Sequence, residues 1–418
     1  MPSRAARGRR SRTGHGSRKD PDGGKQSRPA DDLDSAPMWR VSGTFCRTSP
    51  EIFGRRQNDE ITETVGQGEG ERTRRGYGRT GPPPRGPPPV FPWESFVPTT
   101  QPLPPATTQG WMEGPHGRTW YRITGSLDVS RARGLTPLLV LHGGPGFPHD
   151  YLLNIARLGE TGRAVVHYDQ LGCGRSTHLP DADPGLWTVD LFLDELDALL
   201  AHLGISGNHT VLGQSWGGML ATEHAVRRPA GLRAMVLADT PASMPLWRSG
   251  VERLRRALPR EVQEVLDRHE AAGTTGSPEY AKAAQAFYDR HLLRVRPYPP
   301  EVAASFARWE EDPTVYHTMI GPSEFDVTGT LRDWSAVDRL ASVSVPSLVL
   351  RGEHDEATPE CVGPFAECVA GAQMRVFPES SHMPHIEEAG AFRDAVGTFL
   401  ARHDAGGGSL WRSARAGR

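Results

Sequence analysis

From Gly110 onward, short runs rich in Val and Leu alternate with stretches of helical periodicity. The runs are Leu138-Leu139-Val140-Leu141, Ala164-Val165-Val166-His167-Tyr168, Thr210-Val211-Leu212, Ala234-Met235-Val236-Leu237, Ser347-Leu348-Val349-Leu350 and Met374-Arg375-Val376-Phe377. A strand with one wet face alternates apolar and polar residues, whereas one that is apolar almost throughout is covered on both faces. Between the runs lie amphipathic segments such as Val189 to Leu203, where Val189, Leu193, Leu196, Leu200 and Leu203 recur at spacings of four and three. That spacing puts them on one helix face. Strands of this kind alternating with helices predict an α/β fold: a mostly parallel sheet with helices on both sides.

The alternation stops between Asp239 and about Leu331. That stretch reads as helices over Val251 to Glu270, Pro278 to Arg294 and Pro300 to Glu311, broken by Gly273 to Gly276 and by Pro297-Tyr298-Pro299-Pro300. A helical insert between two strands of a parallel sheet reads as a cap, about residues 241–331 of a domain spanning 109–404. Residues 1–108 differ in kind. They are rich in Arg, Gly, Ser and Pro, and carry Gly81-Pro82-Pro83-Pro84-Arg85-Gly86-Pro87-Pro88-Pro89. Such a segment has too little apolar surface to offset its conformational entropy, so a disordered basic and proline-rich extension is expected, with a flexible tail over 405–418. A dispensable tail, or a start placed too far upstream, is the simplest reading of the extension. A basic arm for nucleic acid or a polyproline ligand is the alternative.

The strand Thr210-Val211-Leu212 runs into Gly213-Gln214-Ser215-Trp216-Gly217, and Gly218 to Val226 reads as a helix. A G-x-S-x-G between strand and helix is a nucleophile elbow, a strained turn that lifts the serine hydroxyl clear of the sheet. Serine needs a base, and the base needs an acid that orients it; in this fold they follow in the order Ser, Asp or Glu, His. Asp355 lies just beyond the strand ending at Leu350, and His382 just beyond the one ending at Phe377. Open parallel sheets place their sites at that edge. Ser215, Asp355 and His382 are therefore the expected triad, with His385 as an alternative base and Asp239 as an alternative acid. His142-Gly143-Gly144-Pro145-Gly146 follows the first long strand. Residues without side chains there let backbone N–H groups approach an oxyanion, and the N–H groups of Gly144 and Trp216 are the expected donors.

Composition narrows the partners. The formal net charge of −2 gives no whole-chain case for nucleic acid or an anionic membrane. The four cysteines are scattered with no C-x-x-C pair, which argues against a disulfide framework and a zinc site, and no cofactor is expected. No run approaches the roughly 20 apolar residues of a membrane span, and the basic start lacks the apolar core of a signal peptide. A cytoplasmic setting is the default expectation. Oligomeric state is not legible.

Taken together, His142-Gly143-Gly144-Pro145-Gly146, Asp169-Gln170-Leu171-Gly172-Cys173-Gly174-Arg175-Ser176, Gly213-Gln214-Ser215-Trp216-Gly217-Gly218, Gly321-Pro322-Ser323-Glu324-Phe325 and Asp355-Glu356-Ala357-Thr358-Pro359 resemble the proline iminopeptidase family of α/β-hydrolases. The resemblance runs from about Gly110 to Asp404 and looks closest to the tricorn-interacting type of aminopeptidase. It implies a metal-free serine aminopeptidase that releases the N-terminal residue of a small peptide, proline and other residues included, through an acyl-enzyme. It also implies that Glu324 and Glu356 hold the substrate's free amine; a cap salt bridge for Glu324 and a helix cap for Glu356 are the structural alternatives. An amidase or esterase acting on amino-acid amides or a secondary metabolite is the neighbouring enzyme reading. A non-catalytic hydrolase-like binding protein is the remote one. On composition alone, a chain starting near Gly110 is expected to keep the melting temperature and activity of the full chain.

Overall fold

The computed structural model describes residues 102–404, so the extension up to residue 101 and the tail from 405 lie outside the described residues. Eight strands form one sheet: β1 (Thr108–Gly114), β2 (Gly117–Thr124), β3 (Leu138–Leu141), β4 (Val165–Asp169), β5 (His209–Gln214), β6 (Leu232–Ala238), β7 (Ser347–Gly352) and β8 (Gln373–Phe377). Their order across the sheet is β1-β2-β4-β3-β5-β6-β7-β8. The first two junctions, β1 with β2 and β2 with β4, are antiparallel, and the remaining five are parallel.

All residues of β3, β4, β5 and β7 are buried, because each of these strands is covered on both faces. Successive side chains of a strand point to opposite faces, and the core divides accordingly. Leu139 and Leu141 enter one apolar cluster with Val211, Met235 and Leu237. Leu138 and Val140 enter the other with Leu212, Val236 and Leu348. Helices α2 (Val189–His202), α3 (Trp216–Val226) and α9 (Pro359–Cys368) line the first cluster, which continues into the stretch between β6 and β7 through Trp247, Leu266 and Phe287. The second is closed by the 3-10 segment His149–Thr161 and by α11 (Ala389–His403), through Phe392, Val396, Phe399 and Leu400. Full burial of one such Leu or Phe side chain contributes about 1.5–3 kcal/mol, so the doubly covered strands anchor the molecule.

The two antiparallel strands were not anticipated. Neither β1 (TQGWMEG) nor β2 (GRTWYRIT) carries an apolar run, and both are only partly buried. The edge of the sheet needs only one covered face, so its sequence carries a weaker signal. A short helix, α1 (Leu127–Ala132), follows β2; Ser126 caps it by accepting the Val129 N–H.

Five helices separate β6 from β7: α4 (Met244–Arg256), α5 (Arg260–Ala272), α6 (Pro278–His291), α7 (Pro300–Glu311) and α8 (Thr314–Met319). The single helix expected from Val251 to Glu270 is two, with α5 entered at Pro259, which has no N–H to continue the ladder. The entry and exit of this insert are tied together. Ala336 N donates to Ala242 O at 3.0 Å and Met244 N to Trp334 O at 2.9 Å. The insert is therefore a closed excursion from the sheet edge. The last short helix, α10 (Pro384–Glu387), leads into α11.

Residues ahead of β1 are tied down as well. Thr107 N donates to Ile123 O at 2.8 Å, Arg122 to Pro104 O at 3.0 Å and Arg157 to Pro102 O at 2.8 Å. A start at Gly110 removes these bonds and the first two residues of β1. The truncation that composition alone suggested is thus placed too far downstream. A chain starting at Pro102 is expected to melt with the full chain, and one starting at Gly110 several degrees lower; equal melting of the two would show that these bonds contribute nothing.

Candidate active site

Ser215 joins β5 to α3 with φ 54° and ψ −122°, a backbone conformation that L residues avoid at a cost of about 1–3 kcal/mol. The turn is held on both sides. Ser215 N donates to Ala238 O on β6 at 2.9 Å, and Ser215 O accepts from Gly218 N at 2.9 Å and Met219 N at 3.2 Å. Its glycines are required by space. A Cβ on Gly213 would strike the Gly217 carbonyl, one on Gly217 the Leu141 carbonyl, and one on Gly218 the Thr240 hydroxyl. Helix and strand therefore pack too closely for any side chain at these positions. Ser215 itself stays half-buried while its strand is fully buried.

Asp355 and His382 are brought together: Asp355 Oδ1 accepts from His382 Nδ1 at 2.7 Å in a buried contact. Asp355 Oδ1 also accepts from Ala357 N at 2.8 Å. Gln214, the neighbour of Ser215, donates through Nε2 to His382 O at 3.0 Å, tying the elbow to the histidine loop. Among the described residues Ser215 makes no direct hydrogen bond to His382. The alternative base His385 is a core residue. Its ring packs on Tyr151 and Phe392 with centroids 5.7 and 5.9 Å away, and burial pulls it down to about 3. The alternative acid Asp239 lies beside Asp355 and not on the histidine.

Gly143 of the loop after β3 lies against Ser215: a Cβ there would sit 3.2 Å from that of the serine. Neither the Gly144 N–H nor the Trp216 N–H is taken by a partner among the described hydrogen bonds, and Trp216 N–H is one of the free donors that open every helix. Gln170 binds this loop to the elbow. It accepts from Trp216 Nε1 at 2.8 Å, donates to His142 O at 3.1 Å, and its backbone N–H donates to His142 Nε2 at 2.9 Å. Burial pulls His142 down to about 4, so the ring is neutral and free to accept that bond. Asp169 fixes the same floor from below, accepting from His149 N at 3.0 Å, His149 Nδ1 at 2.7 Å and Arg175 N at 2.9 Å. Burial alone would raise this carboxyl, but the charge and hydrogen bonds of His149 hold it well below the usual carboxylate range. Glu195 on α2 accepts from Leu171 N at 3.0 Å and from the Thr119 hydroxyl, and burial pushes it up to about 7.

Over the serine edge the insert contributes acid and aromatic groups. Glu356, next to Asp355, is 1% exposed, and neither of its carboxylate oxygens accepts a hydrogen bond among the described residues. Its Oε1 lies 3.9 Å from His382 Nε2. Glu324, in the loop after α8, accepts from the Tyr316 hydroxyl at 2.7 Å. Among the described residues Glu324 accepts from the Tyr316 hydroxyl and forms no salt bridge, and the helix after Glu356 has no side-chain cap, so neither structural alternative is seen there. Burial first, then the charges of Glu324 and Asp355, push the Glu356 carboxyl well above its ordinary range. Burial raises Glu324 too, opposed by the Tyr316 hydrogen bond and the His382 charge. Two residues were missed in the sequence, Trp247 and Tyr316. Trp247 on α4 sets its ring edge to face on His382, centroids 5.8 Å apart, and donates from Nε1 to Glu324 O at 3.2 Å. No motif marks them, because their positions depend on how cap helices pack.

The sequence pattern of the alpha/beta hydrolase fold family matches residues 136–389. A proline iminopeptidase of Heyndrickxia coagulans is 34% identical over 293 residues, covering 70% of this chain and 98% of that protein. The chain belongs to the proline iminopeptidase family of α/β-hydrolases. Among solved structures, the proline iminopeptidase of Mycobacterium smegmatis is 50% identical with a TM-score of 0.67, covering 71% of this chain and 99% of that one. The structure titled VinJ is 52% identical with a TM-score of 0.69, covering 72% and 100%. Membership of the proline iminopeptidase family makes the protein a serine hydrolase of the aminopeptidase kind. Among the described residues no helix is long and apolar enough to cross a membrane.

Glu356 gives a test that needs no substrate. A carboxyl raised above its unfolded value contributes stability that is present below the unfolded pKa and is lost as pH rises through the folded one. Glu356→Gln removes that loss at neutral pH, since a buried neutral amide costs less than a buried unpaired charge. Differential scanning calorimetry at pH 8 is expected to show the variant melting higher by about 3 °C or more, with the gap closing below about pH 4, near the unfolded glutamate value. A variant that melts lower at pH 8 would mean Glu356 is a structural partner of the fold.

Proposed function

We propose that this protein is an aminopeptidase that releases the N-terminal residue, proline among those accepted, from small peptides or aminoacyl derivatives. The observation that carries this reading is the acidic pair. Glu356, buried with both oxygens unpartnered, sits 3.9 Å from the Nε2 edge of His382. A buried carboxylate without donors is costly unless a cation completes it. The protonated amine of a free N-terminus supplies that cation and its N–H donors, three in most residues and two in proline, and Glu324 adds a second carboxylate. An N-terminal residue held by its amine places its own carbonyl, and no later one, at the serine.

In this reading Ser215 Oγ attacks that carbonyl while His382 Nε2 takes the hydroxyl proton. Asp355 holds Nδ1–H and stabilises the imidazolium that forms. The N–H groups of Gly144 and Trp216 receive the oxyanion. His382 then gives the proton to the leaving amine, the acyl-enzyme remains, and water attacks it by the same steps in reverse. No cofactor, metal, nucleic acid or membrane enters the scheme, and a cytoplasmic setting fits it. The finer likeness to the tricorn-interacting type rests on the sequence motifs alone.

Three measurements test the reading. Ser215→Ala is expected to lose several orders of magnitude in kcat with its melting temperature retained, as removal of a triad nucleophile does; retention of more than about a tenth of kcat would contradict it. The productive complex needs a protonated amine, which titrates at roughly 7.7–8.0, and a neutral His382. The pH profile of kcat/KM on proline naphthylamide is therefore expected to be bell-shaped. Glu324→Gln and Glu356→Gln are each expected to lose about 2–5 kcal/mol in kcat/KM on that substrate, and little on a small neutral ester. Equal losses on both substrates, or efficient turnover of N-acetylated substrates by the wild type, would reject amine recognition and favour a general amidase or esterase.

A further inference from the structure

Asp239 has no part in that scheme, yet it lies at its centre. It is the first residue after β6, and its N–H donates to Leu350 O on β7 at 2.8 Å. It is fully buried and sits at φ 53°, a conformation that favours glycine and, among other residues, Asn and Asp. Its Oδ1 accepts from Gly352 N at 3.1 Å. Among the described residues its Oδ2 is buried with no donor, and so is Oδ2 of Asp355, whose Oδ1 is occupied by His382 and Ala357. The bonds from Asp239 to Leu350 and Gly352 hold it against the end of β7, whose loop carries Asp355, and the Asp355 carboxyl acts on it at hydrogen-bond range. Each carboxyl thus has one oxygen saturated by N–H donors and one with none. Two charged carboxylates cannot share a dry site, since like charges so placed drive one of them to take a proton.

We propose that Asp239 is kept as the neutral carboxylic acid and donates its proton in a hydrogen bond to Asp355 Oδ2, making it the positioning residue of the Asp355–His382 pair. One proton satisfies both unpartnered oxygens, and one negative charge remains, on the carboxylate that faces the imidazole. The hydrogen bond also fixes the rotation of the Asp355 carboxylate, so that Oδ1 is presented to Nδ1–H. The role of Asp355 itself rests on the triad reading above.

The surroundings favour the neutral form. Asp239 meets the Asp355 carboxylate and the Gly352 N–H from the β7 end, and the Glu387 carboxylate of α10 and the Tyr151 phenol of the 3-10 segment act on it through their charge. None of these is a cation. Burial first, then the Asp355 charge and the hydrogen bond to it, push the Asp239 carboxyl well above its ordinary range, against a smaller opposing effect of Gly352 N–H.

The test compares Asp239→Asn and Asp239→Ala on a small neutral ester, with Ser215→Ala alongside to report on the triad reading itself. Asn tolerates the left-handed backbone, and its amide donates from the place of the acid proton without being able to ionise. It is expected to keep kcat within tenfold of the wild type. Ala removes the donor and is expected to fall at least a further tenfold in kcat with KM changed little, the scale of losing one hydrogen bond to a charged group. A loss with Asn greater than tenfold, or an Ala variant within tenfold of Asn, would overturn the proposal. Where Ala does not fold, the infrared difference spectrum between wild type and Asp239→Asn at neutral pH decides: the carbonyl band of a protonated carboxylic acid must be present in the wild type and gone in the variant, and its absence from the difference overturns the assignment. Activity in Ser215→Ala would count against the triad reading and not against the state of Asp239, which the infrared measurement reads independently.

Discussion

The five parallel junctions of the sheet bring the carboxyl ends of β3 to β8 to one edge, and every candidate functional loop leaves from there. His142 to Gly146 follow β3, Asp169 closes β4, Ser215 follows β5, Asp239 follows β6, and Asp355 and His382 follow β7 and β8. Strand register sets their relative positions: Gly213 pairs with Leu237, Ala238 with Leu350, and Gly352 with Phe377. Because these strands are mostly buried on both faces, a one-residue slip would swap the two apolar clusters across the sheet. The geometry of the site is therefore held by the core, not by the loops themselves. The strained turn at Ser215 depends on the same packing, since the close approach of β3 and α3 acts together with the hydrogen bonds to Ala238, Gly218 and Met219 to hold φ at 54°.

The site keeps several acids in dry surroundings. Asp239 and Glu356 are pushed well above their ordinary range, and Glu195 to about 7, in each case by burial first. These three have different partners. Glu195 is saturated by N–H and hydroxyl donors, and so supports the floor of the site. Asp239 faces another acid. Glu356 has no donor at all. Residues that cost stability without local compensation gather where function needs them. The aromatic groups of the cap, Trp247 and Tyr316, shield this region and lower its effective dielectric, which strengthens attraction to a charged amine.

The strands with both faces covered were legible because double burial leaves an unbroken apolar run. The antiparallel edge was not, since partly exposed strands such as β1 mix Thr, Gln, Gly and Glu with single apolar residues. Helix positions in the insert were legible, but the break at Pro259 was lost because apolar periodicity continues on both sides of it. The Asp355–His382 contact was foreseeable from residue order alone, as each residue follows its own strand. Glu324 and Glu356 were visible only through family motifs. Trp247 and Tyr316 were invisible, because contacts between cap helices and the sheet edge depend on tertiary packing that no local pattern encodes. Asp239 was noticed as an acid in a suitable loop, but whether it faced the imidazole or the other carboxyl depended on side-chain geometry.

The central claim is that the strained serine is the nucleophile, activated by the histidine at the next loops along the same edge. It is tested most directly by treating the full chain with a fluorophosphonate, which phosphonylates only an activated serine, and locating the adduct by peptide mass mapping. The account predicts one stoichiometric adduct, on Ser215, formed quickly in the wild type and abolished in His382→Ala. An unmodified Ser215, or labelling that proceeds equally fast without His382, would contradict it.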